Sequence, residues 1–507
     1  MPGYIHDFAN VKCTLVAGGV QFAVLGVTLK FEHNAPPEII CRAVPQEYPQ
    51  RGKVVDSSDA PLFWKNLRDS DDMVGREDVF FSLTNLPGGR DFKAEGWVLG
   101  GVSTTASAGA TAPEALDLQI LHPIVMLEKY PSYAGPVKTN DADVTNLTGS
   151  TYLELFKSAL ENYRDRITDS AKQAPAFELL SEGIGRIQEF VRCEDCNVSS
   201  LADLFQGFNK ERLENGFKRY IMSCIENGAD NQTIFSLAMR AIATDLSLCL
   251  FVDERDPGSK QMILRPNIPY KPNPLNIKTN TLKQMTGNQG HWLAPTGVCT
   301  TLTQLVRPGY NHDKMPLKID EATMSVICRD KGLQTIHVNA PVWFRAMLAN
   351  AFGGNFNKID DVESITDVDP ENKRQMDALK KVLTQYFLEL YRRSRQFSAS
   401  RVFSLLDNDN KLLLPGRTCK VWDGKHKGIL FLLESVEHKF SLQNNLASTE
   451  LAGSYLRAED LKVNARGADP EQIINNGFSE DRNYIWNGGS GGGPGGGGGE
   501  QPEEGGE

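Results

Sequence analysis

The sequence predicts a multidomain α+β protein, with two antiparallel, barrel-like β regions and helical and mixed material between them. Three observations carry this expectation. The chain has 507 residues, roughly three domains at about 150 residues each. Apolar residues at 40% and charged residues at 23% match ordinary globular usage and exclude a fibrous or wholly disordered chain. The hydrophobic period is two residues near the N-terminus, becomes helical after residue 150, and returns to two after residue 400.

Residues 1–150 read as a β-rich, barrel-like domain. Val11, Cys13 and Leu15 alternate, Ala17-Gly18-Gly19 can turn, and Val20, Phe22 and Val24 resume the alternation toward Phe31, a hairpin signal. Val79 to Leu83, Gly96 to Val102 and Leu116 to Leu127 are further strand candidates, and Ser103 to Thr111 reads as a loop. The lack of long helical stripes favours a barrel or sandwich over a wound α/β sheet.

Residues 151–228 read as helical. Thr151-x-x-Glu154 is a capping box, and Tyr152, Phe156, Ala159, Tyr163 and Ile167 share one face. Phe177, Leu180, Ile184, Ile187 and Val191 form a second stripe, with shorter patterns at Leu201 to Phe205 and Leu213 to Ile225. Residues 229–368 are mixed: a helix through Ile234, Leu237, Ala238 and Ala241, then a hairpin of Leu248 to Val252 and Met262 to Leu264 around the turn-rich Asp253 to Ser259.

Residues 369–486 begin with a helix, opened by Asp369-Pro370, striped by Met376, Leu379, Leu383, Phe387 and Leu390, and ended by Arg392, Arg393 and Arg395. A meander follows: Arg401 to Leu405, Leu412 to Leu414, Thr418 to Trp422, Ile429 to Leu433, Val436 to Leu442 and Ser448 to Tyr455, with a turn signal roughly every ten residues, as in a small barrel. Residues 487–507, in which 12 of 21 are Gly, read as a disordered acidic tail.

The chemistry-bearing residues give no site. Lys plus Arg at 54 against Asp plus Glu at 64 leaves a formal charge of -10, which argues against broad phosphate-backbone binding. No window approaches a membrane span, and Met1-Pro2-Gly3-Tyr4 opens no signal peptide, so the expectation is a soluble intracellular product without membrane partners. Nine scattered cysteines predict free, mostly buried thiols. Cys193-Glu194-Asp195-Cys196 lacks the second ligand pair that structural zinc needs, so two ordinary thiols are expected there.

Asp407-Asn408-Asp409-Asn410 lacks the later Gly and Glu of a calcium loop and reads as a hairpin turn. The glycine run from Gly488 has no strand and helix around it to cradle phosphate. His438 shares a strand face with Val436 and Phe440, which predicts a satisfied, half-buried histidine. Tyr310-Asn311-His312-Asp313 sets a His beside an acid without a nucleophile motif. The reading therefore names no catalytic, cofactor-binding or metal residue and no cofactor, and it takes the chain not to be an enzyme.

The C-terminal order is more specific. Tyr386 to Arg393, then Arg401-Val402-Phe403-Ser404, Leu413-Leu414-Pro415-Gly416, Gly428 to Leu433 with Val436-Glu437-His438, and Ala447 to Leu451 with Tyr455-Leu456-Arg457 resemble the tail-hub or baseplate-hub family of tailed phages and contractile injection systems, late control D-like members included. Ile234 to Pro266 is similar to the middle of such hubs. The resemblance implies a structural protein of the virion tail or baseplate, assembled in the host cytoplasm. It implies a homotrimer with two barrels per subunit, joining the tail tube protein to the spike protein and contacting other baseplate proteins. It also implies a bore that passes tape-measure protein and, in transit, DNA during genome ejection. The alternative is a tail-associated peptidoglycan hydrolase or an unrelated α+β enzyme.

Overall fold

The computed structural model describes residues 11–18, 20–46, 74–86, 91–105, 115–138, 146–194, 196–197, 210–226, 232–239, 248–266, 275–279, 297–299, 301–306, 317–320, 325–329, 335–339, 395–402, 412–422, 429–444 and 446–455. The first six strands are β1 (Lys12–Ala17), β2 (Val20–Glu32), β3 (Glu38–Gln46), β4 (Val79–Thr84), β5 (Phe92–Thr105) and β6 (Ala115–Leu121). They pair antiparallel in the order β1-β4-β5-β6-β3-β2, and β2 returns to β1, which closes a six-stranded barrel. Closure removes the exposed edges of an open sheet. Alternation supplies the interior: Leu15, Phe31, Ile39, Phe81, Trp97 and Ile120 are all buried.

One local expectation is corrected here and one strand is added. The strand from Leu116 stops at Leu121, because Pro123 cannot donate to a ladder and instead opens a 3-10 helix, Pro123–Lys129. Strand β3 carried no signal in the sequence reading, although Ile39, Cys41 and Ala43 alternate inward; exposed Ile40 on the other face hides the period.

Helices α1 (Tyr152–Arg166), α2 (Pro175–Phe190), α3 (Lys210–Glu226) and α4 (Ile234–Ala238) follow. The capping box forms as the sequence predicts: the Glu154 amide donates to Thr151 Oγ1 at 3.2 Å and the Thr151 amide to Glu154 Oε2 at 3.2 Å. Hydrogen bonds from Ser150, its amide first, hold the Glu154 carboxyl below the usual range. Helix α2 ends at Phe190, and Val191, expected on its stripe, opens β7 (Val191–Cys193). β7 pairs with β9 (Met262–Pro266), which pairs with β8 (Leu248–Val252) in the hairpin the sequence predicts.

Helix α2 meets the barrel through Arg186. Its guanidinium donates to Glu77 at 2.8 Å and to the Tyr130 hydroxyl at 3.2 Å, and it lies 4.7 Å from the Phe190 ring centroid. Two glycines of this helix make opposite predictions. A Cβ on Gly185 meets nothing within 4 Å, so Gly185→Ala is expected to stabilise by about 0.5–1 kcal/mol, the intrinsic helix cost of glycine. A Cβ on Gly183 would lie 2.5 Å from Tyr130 Cβ and 2.6 Å from Ile234 Cδ1, so Gly183→Ala is expected to destabilise by about 1–3 kcal/mol. Thermal denaturation of the two variants checks the signs, and a stabilising Gly183→Ala would contradict the packing of α2 on Tyr130.

Strands β10 (Leu275–Thr279), β11 (Gly297–Cys299) and β12 (Thr301–Val306) come next, then a three-stranded antiparallel meander of β13 (Leu317–Asp320), β14 (Ser325–Arg329) and β15 (Thr335–Asn339). The last strands are β16 (Arg395–Val402), β17 (Thr418–Trp422), β18 (Ile429–Ser441) and β19 (Leu446–Tyr455). β18 pairs with β17 and β19, β19 with β16, β16 with β12, and β17 with β10, which pairs with β11.

Arg395, expected to end a helix, begins β16, and Leu413 and Leu414 lie outside any strand. The two strands expected on either side of Glu434 are one strand, β18, whose register shifts between Leu433 and Ser435 as a β-bulge. Pro415-Gly416 turns as expected: Gly416 has φ +88°, open to glycine, and its amide donates to Leu433 O at 2.8 Å. The helix expected from Asp369 to Arg393 lies outside the described residues.

Candidate assembly surface at the barrel junction

The barrel and the C-terminal sheet meet at β2 and β18, which pair antiparallel from Ser435↔Glu32 to Ser441↔Gly26. The ends of the seam are extended by the His33 amide donating to Glu434 O at 3.0 Å and the Leu442 amide donating to Leu25 O at 3.0 Å. Over this stretch β18 has β19 on its other edge, so the strand is internal to a continuous sheet. Phe31, Val436 and Phe440 are buried along it.

His438 sits in the same seam, 0% exposed rather than half-buried, because two neighbouring strands cover it. Its Nε2–H donates to Leu413 O at 2.9 Å and its Nδ1 accepts from the Thr449 hydroxyl at 2.9 Å. Its ring stands edge-on to Phe31 at 6.2 Å. Both nitrogens are therefore satisfied, as the sequence predicts. Burial lowers its pKa to about 4. The outer face over the seam is a shallow groove of about 420 Å³, bordered by Gly26, Ile40, Arg42, Asp117, Lys439 and Ser448.

The turn between β8 and β9 ties the remaining parts together. Asp253 accepts from Arg192 at 2.7 Å and from the Arg255 amide at 2.8 Å. Glu254 pairs with Arg417, and the two side chains are 14% and 6% exposed. At the tip, Trp97 Nε1–H donates to Gly258 O at 2.9 Å and His122 Nε2–H to Ser259 O at 3.0 Å. One loop thus touches the barrel at Trp97 and His122 and the C-terminal sheet at Arg417. The sequence reading marks these residues as a turn, but long-range pairing of this kind has no local signal.

The other residues weighed in the sequence fall as follows. Cys193 and Cys196 form a disulfide, which corrects the expectation of two free thiols: β7 ends at Cys193, and Cys196 O is anchored by the Tyr152 amide at 3.2 Å, which brings the sulfurs together. Cys41, Cys224 and Cys249 are buried thiols, and burial pushes the Cys13 thiol up to about 12. Asp407 to Asn410, Tyr310 to Asp313 and the run from Gly488 lie outside the described residues. Among the described residues, no group of three His, Cys, Asp or Glu side chains is placed to share a metal ion, and no helix is long and apolar enough to cross a membrane.

No protein-family model and no curated protein matches the chain. Among solved structures it is similar to the tail protein from Neisseria meningitidis MC58, with 11% identity, 88% of this chain and 96% of that chain covered, and a TM-score of 0.42. It is also similar to the E. coli c3393 protein, a component of the type VI secretion system with structural similarity to T4 bacteriophage tail proteins gp27 and gp5, at 9% identity, 90% and 79% coverage and a TM-score of 0.36. The 43 kDa tail protein of prophage MuSo2 from Shewanella oneidensis gives 8% identity, 89% and 99% coverage and 0.37.

Proposed function

We propose that this chain is a structural hub of a phage tail or baseplate, joining the tail tube to the central spike around a channel for tape-measure protein and DNA. The observation that carries the reading is the β2–β18 seam, which joins the closed barrel sideways to the C-terminal strands. In that second set, β11 and β12 are separated by one residue and pair with β10 and β16 respectively. Counting them as one strand, we read β17-β18-β19-β16-β12/β11-β10 as a second six-membered barrel. Two such units side by side in each subunit, in a ring of three subunits, give six pseudo-equivalent positions, a pseudo-sixfold match to a sixfold tube. The ordered motif set from Tyr386 to Arg457 supports the same reading.

In this reading the partners are two further copies of the chain and the tube, spike, tape-measure and other baseplate proteins, and the protein works in the virion tail as a non-enzyme. The test is multi-angle light scattering with electron microscopy of the purified chain, alone and with tube and spike proteins. A trimeric ring with six-lobed projections is expected. A strict monomer at high concentration with those partners present would overturn the hub, and cleavage of peptidoglycan by such a monomer would establish the hydrolase alternative.

A further inference from the structure

His122 caps the 3-10 helix Pro123–Lys129 in an unusual way for a titratable residue. Its Nδ1 accepts from the Ile124 amide at 3.1 Å, and an amide can only donate. Its Nε2 faces the Ser259 carbonyl at 3.0 Å, and a carbonyl can only accept. Both partners therefore require the neutral ring with its proton on Nε2. His438 differs, since the Thr449 hydroxyl beside its Nδ1 can reverse its role.

The ring is 1% exposed and stands edge-on to Trp97 at 5.1 Å. Trp97 holds the neighbouring Gly258 carbonyl, and a Cβ on Gly258 would lie 1.6 Å from Lys93 O, so the turn tip is seated tightly on β5. A second proton, on Nδ1, would set two donors face to face and place a cation at the positive end of a helical turn.

We propose that the Asp253–Ser259 turn is an acid-releasable latch between the barrel and the β8–β9 hairpin, with His122 as its sensor. The charged groups of the surrounding elements are directed elsewhere. On the turn, Asp253 faces Arg192, Glu254 faces Arg417, Arg255, Asp256 and Lys260 are exposed, and the Lys260 chain lies over Gly96. On the 3-10 helix, Lys129 donates to Gly75 O and Glu128 is exposed. On β5, Lys93 pairs with Asp91 and Glu95 is exposed.

Burial lowers the His122 pKa from 6.5 to about 3. A depressed folded pKa means that the latch is at full strength above pH 6.5 and weakens as pH falls toward about 3. Opening exposes the ring to water, so the opening constant rises about tenfold per pH unit below 6.5.

Hydrogen–deuterium exchange of the full chain, corrected for intrinsic rates, tests this at pH 7.5 and 5.0. Peptides covering residues 92–99, 119–126 and 253–262 are expected to open about thirtyfold more at the lower pH, while residues 429–441 report the β2–β18 seam separately. In His122→Asn, whose amide oxygen can still accept from Ile124 but does not titrate, the pH dependence of the turn is expected to vanish. Equal protection of the wild type at both pH values, or an undiminished pH dependence in His122→Asn, would overturn the latch. If that variant does not fold, the wild-type imidazole titration followed by nuclear magnetic resonance decides: a ring neutral below pH 5 supports the latch, and a midpoint at 6.5 or above overturns it.

Discussion

Replacing Val436 by proline is expected to break the barrel junction and lower stability by about 3 kcal/mol or more. Val436 is 0% exposed and stands opposite both Leu451 of β19 and Phe31 of β2. In a strand paired on both sides, each amide donates to one neighbour or the other, so the proline removes a ladder bond whichever edge it faces. Its ring also fixes φ in the strand that carries the seam. The seven registered pairs of β18 with β2 then lose their continuity.

Guanidinium denaturation followed by circular dichroism reads the loss, and a midpoint corresponding to less than about 1 kcal/mol of change would show that the seam contributes little. Both edges of this strand are filled within the chain, so Val436→Pro reports on the junction and not on a contact between subunits.

The elements legible in the sequence are those whose signals are local. Thr151 and Glu154 are three residues apart, and the cap they form depends on nothing else. The β1–β2 hairpin follows from alternation around a glycine turn, and the Pro415-Gly416 turn from a residue of fixed φ followed by one free to take a positive φ. What the sequence hid is set by partners distant in the chain. Glu434 looks like a break between two strands, but the β-bulge absorbs it and its carboxylate accepts from the Ser454 hydroxyl at 2.5 Å.

His438 looks half-buried because one strand shows two faces and says nothing of its neighbours. Its full burial is the work of the strands on both sides, and one of them, β2, lies more than 400 residues earlier in the chain. The candidate surface was invisible for the same reason. Trp97, His122, Glu254 and Arg417 form one cluster through a single turn, and no spacing rule connects four residues spread over three regions.

Replacing Arg417 by methionine is expected to cost about 3–5 kcal/mol, the loss typical when one member of a buried ion pair is removed. Arg417 and Glu254 are 6% and 14% exposed, and the pair joins the β8–β9 turn to the entry of β17. Methionine keeps most of the arginine stem volume, so the loss reads the charge and not a cavity. What remains is a carboxylate held out of water without its guanidinium, and it is this residue that makes the single substitution severe.

The double variant Arg417→Met with Glu254→Leu removes both charges and is expected to recover more than half of the loss, because well-packed apolar residues often replace a buried pair at little cost. A double-mutant cycle by denaturant unfolding separates the pairwise energy from the packing of each side chain. If Arg417→Met alone changes stability by less than about 1 kcal/mol, the pair behaves as a surface bridge does. The attachment of the turn would then rest chiefly on its Trp97 and His122 contacts with the barrel.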